Sequence, residues 1–517
     1  MIILFFTRRA FLLCLLALLL GGCSLPPLEG RSTSVALNQI EAADTALGRA
    51  IAPQAQQHRG RSGIYWLIDP HEAFAARALL ARSAQKTLDV QYYIWHGDVT
   101  GTLLLDELRA AADRGVRLRL LLDDNGTTGL DKELAALHTH PNIEVRLFNP
   151  FVVRRPKAIG FLTNFTAANR RMHNKSFTAD NQATIIGGRN VGDEYFGVGE
   201  SFLFADLDVM AVGSVVDDVS TDFDRYWSSD SSYPVDLILP KADAAALQEV
   251  RAAAAQMAES EASADYLRAI RDSPFATGLL QGSLEFEWAD TTMVSDDPAK
   301  GLGLADPDSL VTRQLSELLG RPTENLELVS SYFVPTAAGV DVFTKMAEDG
   351  VKLRILTNSL DATDVAAVHA GYAKRRKDLL AAGIALYEMR RMSTVSRRNA
   401  SAGPFGSSGS SLHAKTFAVD GKRVFVGSFN FDPRSVHLNT ELGFVIESPT
   451  TARQIEQFFD ERVSESSYEV RLSEPGDLYW LERRDGKEVR HDSEPETGLF
   501  KRGYVLFLSI LPIEWLL

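Results

Sequence analysis

Residues 173–190 read HNKSFTADNQATIIGGRN, and residues 413–430 read HAKTFAVDGKRVFVGSFN. Both stretches hold His, one residue, Lys, four residues, Asp, six residues, Gly, two residues, Asn. Between those fixed points apolar and polar residues alternate. Each stretch therefore reads as two short strands joined by a turn, at Asp180-Asn181 and at Asp420-Gly421. Residues i and i+2 of a strand share a face, which puts His173 beside Lys175 and His413 beside Lys415. Asn190 and Asn430 follow the second strand and can return to the same region.

Working outward, Leu88–Asp124 (LDVQYYIWHGDVTGTLLLDELRAAADRGVRLRLLLDD) and Leu326–Ser359 (LELVSSYFVPTAAGVDVFTKMAEDGVKLRILTNS) share a second pattern. A strand-like run leads to a stretch with helical spacing, which ends at a glycine (Gly115, Gly350) before another β-rich run. Strand, helix, strand is a βαβ unit, so each half is expected to be an α/β domain with a mixed, largely parallel sheet flanked by helices. The offset between copies is 238 residues at Leu88/Leu326, 235 at Val116/Val351 and 240 at His173/His413. Such constancy marks a duplicated domain with the two histidine stretches in equivalent places. An Ala- and Glu-rich helix is expected over 242–270, with a break in periodicity over 275–300 and a Gly/Ser loop at 399–411, just before His413. The expected division is 61–280 for the first domain, 281–475 for the second and 476–517 for a C-terminal tail.

Two imidazoles, two ammonium groups and two amides around one point suit a phosphate diester. One imidazole attacks phosphorus and becomes a phosphohistidine, while the other, protonated, hands its proton to the departing alkoxide. Lys175, Lys415, Asn190 and Asn430 would hold the non-bridging oxygens, whose charge must be stabilised through the transition state. One motif supplies one histidine, so the duplication completes a site at the interface of the halves. No cysteine or carboxylate stands at ligand spacing, so no metal or other cofactor is expected.

The N-terminus reads as an export segment. Arg8 and Arg9 precede an apolar run, Phe11 to Leu20, too short to span a bilayer comfortably. Leu20-Gly21-Gly22-Cys23 then resembles the lipobox of bacterial lipoproteins, which implies a signal peptide over 1–22, lipidation of Cys23 and a linker over 23–60. Ser24 resembles the sorting residue of lipoproteins sent to the outer membrane of Gram-negative bacteria, with inner-membrane retention left open. With Cys14 inside the signal, the mature chain has no disulfide. A net charge of −14 disfavours a nucleic-acid partner. Basic runs at 154–157, 170–171 and 390–398 precede the histidine stretches and could feed an anionic substrate to them. The terminal GYVLFLSILPIEWLL is apolar, broken by Pro512, and suits a segment lying in the membrane interface.

The paired histidine stretches resemble the HKD motifs of the phospholipase D superfamily, over nearly all of the mature chain. GGRNVGDEYF (187–196), FADLDVMAVG (204–213), NFDPRSVHLNTELGFVIES (430–448) and ILPIEWLL (510–517) look like its cardiolipin synthase C branch. That resemblance implies two α/β domains around one cleft and transfer of a phosphatidyl group between lipids. It also implies an acid that orients each histidine. Matching TELGFVI with ADLDVMAV selects Glu441 and Asp206, each serving the other half's histidine. By the same resemblance His173 is the nucleophile and His413 the general acid/base. The motif aspartates Asp180 and Asp420 join the catalytic set, expected to act as supports rather than proton carriers. Ser428 is grouped with the phosphate-binding residues, and Gly188 stands at its place in the first motif.

The leading expectation is a membrane-associated phosphatidyltransferase making cardiolipin from phosphatidylglycerol, with phosphatidylethanolamine as a possible donor. The rival is a phospholipase D-type phosphodiesterase, which differs only in handing the phosphatidyl group to water. A lipoprotein that binds lipid without turnover would predict a damaged motif, and neither copy is damaged. The oligomeric state stays open.

Overall fold

The computed structural model describes residues 25–517 apart from 155, 164, 198–205, 244, 392–411 and 485. The expected signal, Cys23 and the Gly/Ser loop at 399–411 lie outside the described residues.

Nine strands build the first sheet: β1 (Ser62–Leu67), β2 (Thr87–Ile94), β3 (Arg117–Gly126), β4 (Ile143–Phe148), β5 (Ser176–Ala179), β6 (Ala183–Gly187), β7 (Asp208–Gly213), β8 (Ser232–Pro234) and β9 (Glu287–Ala289), in the order β8-β4-β3-β2-β5-β6-β7-β1-β9. Ten build the second: β10 (Thr291–Ser295), β11 (Asn325–Ser330), β12 (Lys352–Asn358), β13 (Ala385–Met389), β14 (Lys415–Val419), β15 (Arg423–Gly427), β16 (Leu442–Glu447), β17 (Ser467–Leu472), β18 (Leu478–Arg484) and β19 (Lys487–His491), in the order β10-β16-β15-β14-β11-β12-β13-β17-β18-β19. Both are mixed sheets. Among the named strands, parallel pairing links β2-β3-β4 and β11-β12-β13, the strands joined by helical crossovers. The expectation of largely parallel sheets therefore holds only for these cores. The remaining neighbours pair antiparallel, some through short hairpins, as at β5-β6 and β14-β15.

Local chemistry explains the repeat. Asp98 caps the crossover helix Val99–Asp113 by accepting from the Gly101 N–H, and Gly115, at φ 97°, stops it. Both motif hairpins turn on two successive left-handed residues, Asp180 (φ 52°) and Asn181 (φ 51°), then Asp420 (φ 53°) and Gly421 (φ 58°). That is the backbone a tight two-residue turn demands, and Asn, Asp and Gly tolerate it.

The halves are fused by an apolar layer in which Ile64, Ile186 and Val209 of the first sheet meet Val426, Phe444 and Ile446 of the second. Three expectations shift. β9 belongs to the first sheet, so the break between sheets falls at Asp290 rather than at 280. β18 and β19, inside the expected tail, extend the second sheet because Trp480 buries against its core. The single helix expected over 242–270 is two helices, Ala246–Ala258 and Ala264–Asp272, with a short 3-10 turn at Glu261–Ser263 between them. Beyond β19 a helix, Leu499–Ile510, lies against helix Ala366–Ala373 through Val505. Its outer face leaves Leu499, Phe500, Leu506, Phe507 and Ile510 exposed. Among the described residues no helix is long and apolar enough to cross a membrane.

Candidate active site

The first strand of each motif hairpin is central, with β5 beside β2 and β14 beside β11, so each delivers its histidine to the seam between halves. There the backbones cross. His173 N–H donates to Thr440 O at 2.9 Å and Thr440 N–H to Arg171 O at 3.0 Å, tying the first motif to the segment that carries Glu441.

Each histidine meets a carboxylate of the opposite half. His173 Nδ1 lies 2.8 Å from Glu441 Oε2, and His413 Nδ1 lies 2.7 Å from Asp206 Oδ2. An ionised carboxylate only accepts, so opposite Asp206, and opposite Glu441 wherever that carboxyl is ionised, Nδ1 carries the proton and the Nε2 lone pair is left for chemistry. Lys175 and Lys415 each donate to the carbonyl of their own motif histidine, and each ammonium has further N–H bonds to give. Asn190 Oδ1 accepts from Ile94 N–H and Asn430 Oδ1 accepts from Ser331 Oγ–H. Both amides thus keep their NH2 groups as donors.

The histidine-orienting acids differ in character. Burial alone would raise Asp206, but His413, Arg189 and Lys415 overcome it and hold the carboxyl well below its usual range. Burial dominates at Glu441 and pushes it up to about 7 against the pull of Lys175. Burial and then the neighbouring Lys415 lower His413 to about 4, with Asp206 opposing. Burial, Lys175 and Lys415 hold His173 well below its ordinary value. Lys415 itself is lowered to about 8 by burial. Without substrate both imidazoles are therefore neutral, and burial also lowers Lys175 and Lys415, whose ammonium forms an anionic phosphodiester would stabilise.

Other expected residues fall elsewhere. Asp180 accepts from the backbone N–H groups of Gln85, Lys86 and Thr87, and Asp420 from those of Thr323, Glu324 and Asn325. Both carboxylates pin the start of the neighbouring strand, at the end of the hairpin strand away from the histidine. Ser428, expected to bind phosphate, gives its one proton to Glu441 Oε2 at 2.5 Å and accepts from Leu442 N–H. It belongs to the carboxylate's support. Among the described residues of the basic runs, Arg154 and Lys157 pair with buried Asp124, Arg171 faces Asp123, and Arg390 pairs with Glu482.

Sequence reasoning passed over Tyr93, Tyr195 and Arg434. The Tyr93 ring stands edge-on to His173 and the Tyr195 ring edge-on to His413, each at 5.0 Å between centroids. Arg434, nearly buried, binds Asn169 through both terminal nitrogens and lies within electrostatic reach of His173. A double tyrosine in a strand and an arginine in a helix carry no spacing signal, though Tyr195 and Arg434 sit at similar distances from Asn190 and Asn430 along the chain. His96, Asp98 and Glu194 are the one set of metal-type donors that lie together among the described residues. Asp98 is already engaged by the Gly101 and Asp193 N–H groups.

The family model described as "Cardiolipin synthase, PLD-like domain" matches this chain twice, over residues 79–227 and 315–463. Cardiolipin synthase C of Escherichia coli (strain K12) is 51% identical over 473 residues, covering 91% of this chain and 99% of that one. An uncharacterized protein of Helicobacter pylori (strain ATCC 700392 / 26695) is 30% identical, covering 90% of this chain and 92% of its own length. Among solved structures, phosphatidylserine synthase of Haemophilus influenzae Rd KW20 superposes with a TM-score of 0.56 at 14% identity, covering 90% of this chain and 99% of that one, a likeness of fold. With two matched repeats and a curated relative aligned along almost its whole length, the chain belongs to the phospholipase D-like cardiolipin synthase family.

Proposed function

We propose that this protein makes cardiolipin by moving a phosphatidyl group onto phosphatidylglycerol through a phosphohistidine on His173. A relative aligned over nearly its whole length is a cardiolipin synthase, and the motif chemistry is that of an enzyme of phosphatidyl transfer. One observation carries the reading: each catalytic imidazole is held at Nδ1 by the other half's carboxylate, so both Nε2 atoms serve one substrate. His173, held neutral by burial and the neighbouring lysines, attacks phosphorus, whose bond to the headgroup oxygen breaks. His413, backed by the firmly ionised Asp206, donates the proton to that oxygen. Bound phosphate supplies the negative charge that lifts His413 into a protonated state. Lys175, Lys415, Asn190 and Asn430 hold the non-bridging oxygens. His413, now neutral, then takes the proton of the acceptor hydroxyl as that oxygen displaces His173.

The protein works at a membrane surface. A lipid anchor on Cys23 would tether it at the cell envelope, facing the periplasm, and the exposed apolar face of Leu499–Ile510 would rest in the headgroup layer. Phe165 meets Trp515 edge-on, which joins that face to the first half beside Asn169 and Arg434. Residues 61–289 and 290–491 then form the two catalytic units, and 499–517 the interfacial element.

The test is mass spectrometry of lipid products from phosphatidylglycerol vesicles, with and without phosphatidylethanolamine, using the mature protein beside His173→Ala. Cardiolipin made only by the unaltered protein is expected. Phosphatidic acid as the sole product would instead make water the acceptor.

A further inference from the structure

Ser295–Gly303, SDDPAKGLG, reads as a break in periodicity between the two sheets. In the fold it runs directly behind Glu441. Asp296 N–H donates to Glu441 O at 3.0 Å, and Glu441 N–H donates to Asp296 Oδ2 at 2.9 Å, so one residue clasps the other's main chain from both sides. Lys300 Nζ donates to the same Asp296 Oδ2 and to Ser435 O, both at 2.8 Å. Asp296 Oδ1 takes the Val311 N–H, and the pair is almost wholly buried. The first half grips the same segment: Tyr226 O–H donates to Asp296 O, Asn149 Nδ2 to Gly301 O and Arg170 to Lys300 O.

The repeat shows why the pair is there. Strand pairing sets Gly187 opposite Asp208 and Gly427 opposite Gly443, so Asp206-Leu207-Asp208 corresponds to Glu441-Leu442-Gly443 and Arg189 to Phe429. In the first half Arg189 donates to Asp206 O at 2.9 Å and faces Asp208 at 3.4 Å, a cation and a carboxylate behind the orienting acid. Phe429 and Gly443 bring no charge to the second half. We infer that Asp296 and Lys300 are positioning residues for the Glu441–His173 contact, a pair supplied by the connecting segment where the second repeat has none of its own. Asp296 fixes the main chain of Glu441, and Lys300 sets a buried cation behind its carboxylate.

This rests on the role given above to Glu441. Its charged neighbours are His173 and Lys175 on the first motif, Lys415 on the second, Lys300, and the carboxylates of Asp296 and Asp432. Burial holds Glu441 at about 7, so small changes among these groups move it through the working range. A group raised in this way is ionised only above its shifted value, and activity that needs the carboxylate falls as pH drops through it.

The experiment is the pH profile of kcat/KM for cardiolipin formation on phosphatidylglycerol vesicles. Lys300→Met removes a cation and is expected to move the acid limb up by about one unit, with activity on that limb about tenfold lower. Lys300→Arg keeps the limb in place. Asp296→Asn removes a like charge and moves the limb the opposite way, a sign that lost packing alone does not produce, and it serves if Lys300→Met fails to fold. In a Glu441→Gln background neither change shifts the profile further. Profiles of Lys300→Met or Asp296→Asn superimposing on the parent, or shifting equally in the Glu441→Gln background, overturn the inference. A parent protein inactive on these vesicles would instead refute the lipid reaction itself.

Discussion

Replacing Asp206 by Asn separates the duties of the two histidines. The carboxylate lies 2.7 Å from His413 Nδ1, is buried with it, and stays ionised across the neutral range. An amide fills the same space without the charge. An opposite charge at this distance supports an imidazolium by about 1 to 3 pKa units, or roughly 1.4 to 4 kcal/mol of its free energy. With His413 already lowered to about 4, the Asp206→Asn change would lower it further and thin the protonated form by about 10- to 1000-fold. If His413 protonates the leaving group, kcat for a natural headgroup falls by about that factor. A phosphatidyl donor with a nitrophenol leaving group needs no proton. Its burst of nitrophenol, read in a stopped-flow absorbance assay, should therefore fall by less than about tenfold. Glu441→Gln, acting on the nucleophile, should slow both donors alike. Equal losses on both donors for Asp206→Asn would refute the acid role of His413. A leaving-group dependence that moved to Glu441→Gln would exchange the two roles.

Four further outcomes are expected. Asp180→Ala strips three backbone N–H groups of their shared acceptor and should cost about 2–4 kcal/mol in denaturant unfolding, with kcat of the folded protein little changed. Gly188→Ser places a Cβ 2.1 Å from Asp206 Oδ1, so the carboxylate facing His413 must shift, and kcat should drop about tenfold or more with KM nearly constant. Replacing Phe500 and Phe507, both exposed on the terminal helix, with Ser should weaken vesicle binding in a flotation assay by about 100-fold while hydrolysis of a soluble phosphodiester persists. Activity should withstand a chelator such as EDTA, since His173, His413 and the lysines supply the nucleophile, acid and charge themselves; a clear loss would call for a metal.

The duplication was legible because its markers are local. The hairpin turns, the helix-stopping glycines and the H-x-K spacing each follow from backbone rules that act within a few residues. Asp206 and Glu441 were reachable because the family resemblance implied an acid behind each histidine and laying one repeat on the other selected them, since the strand register that equates them is repeated too. What escaped depended on contacts between distant segments. Ser428 looked available for phosphate until its hydroxyl was seen to point at Glu441. Arg154 and Lys157 looked like a basic surface until Asp124 was found beneath them. Tyr93 and Tyr195 contribute by shape against rings on other strands, and one-dimensional spacing carries no trace of that. The strands at 478–491 escaped because their mixed, mostly charged lettering is that of a sheet edge, where only one residue in several is buried.

The exchange of carboxylates between the halves has a bearing on the cell that makes this protein. A chain that is half-translated, or whose halves have yet to dock, carries a histidine without the acid that fixes its tautomer. Neither half alone then holds a complete site for phospholipid. That site is finished only when the last seam closes, so maturation itself acts as the safety catch on its chemistry.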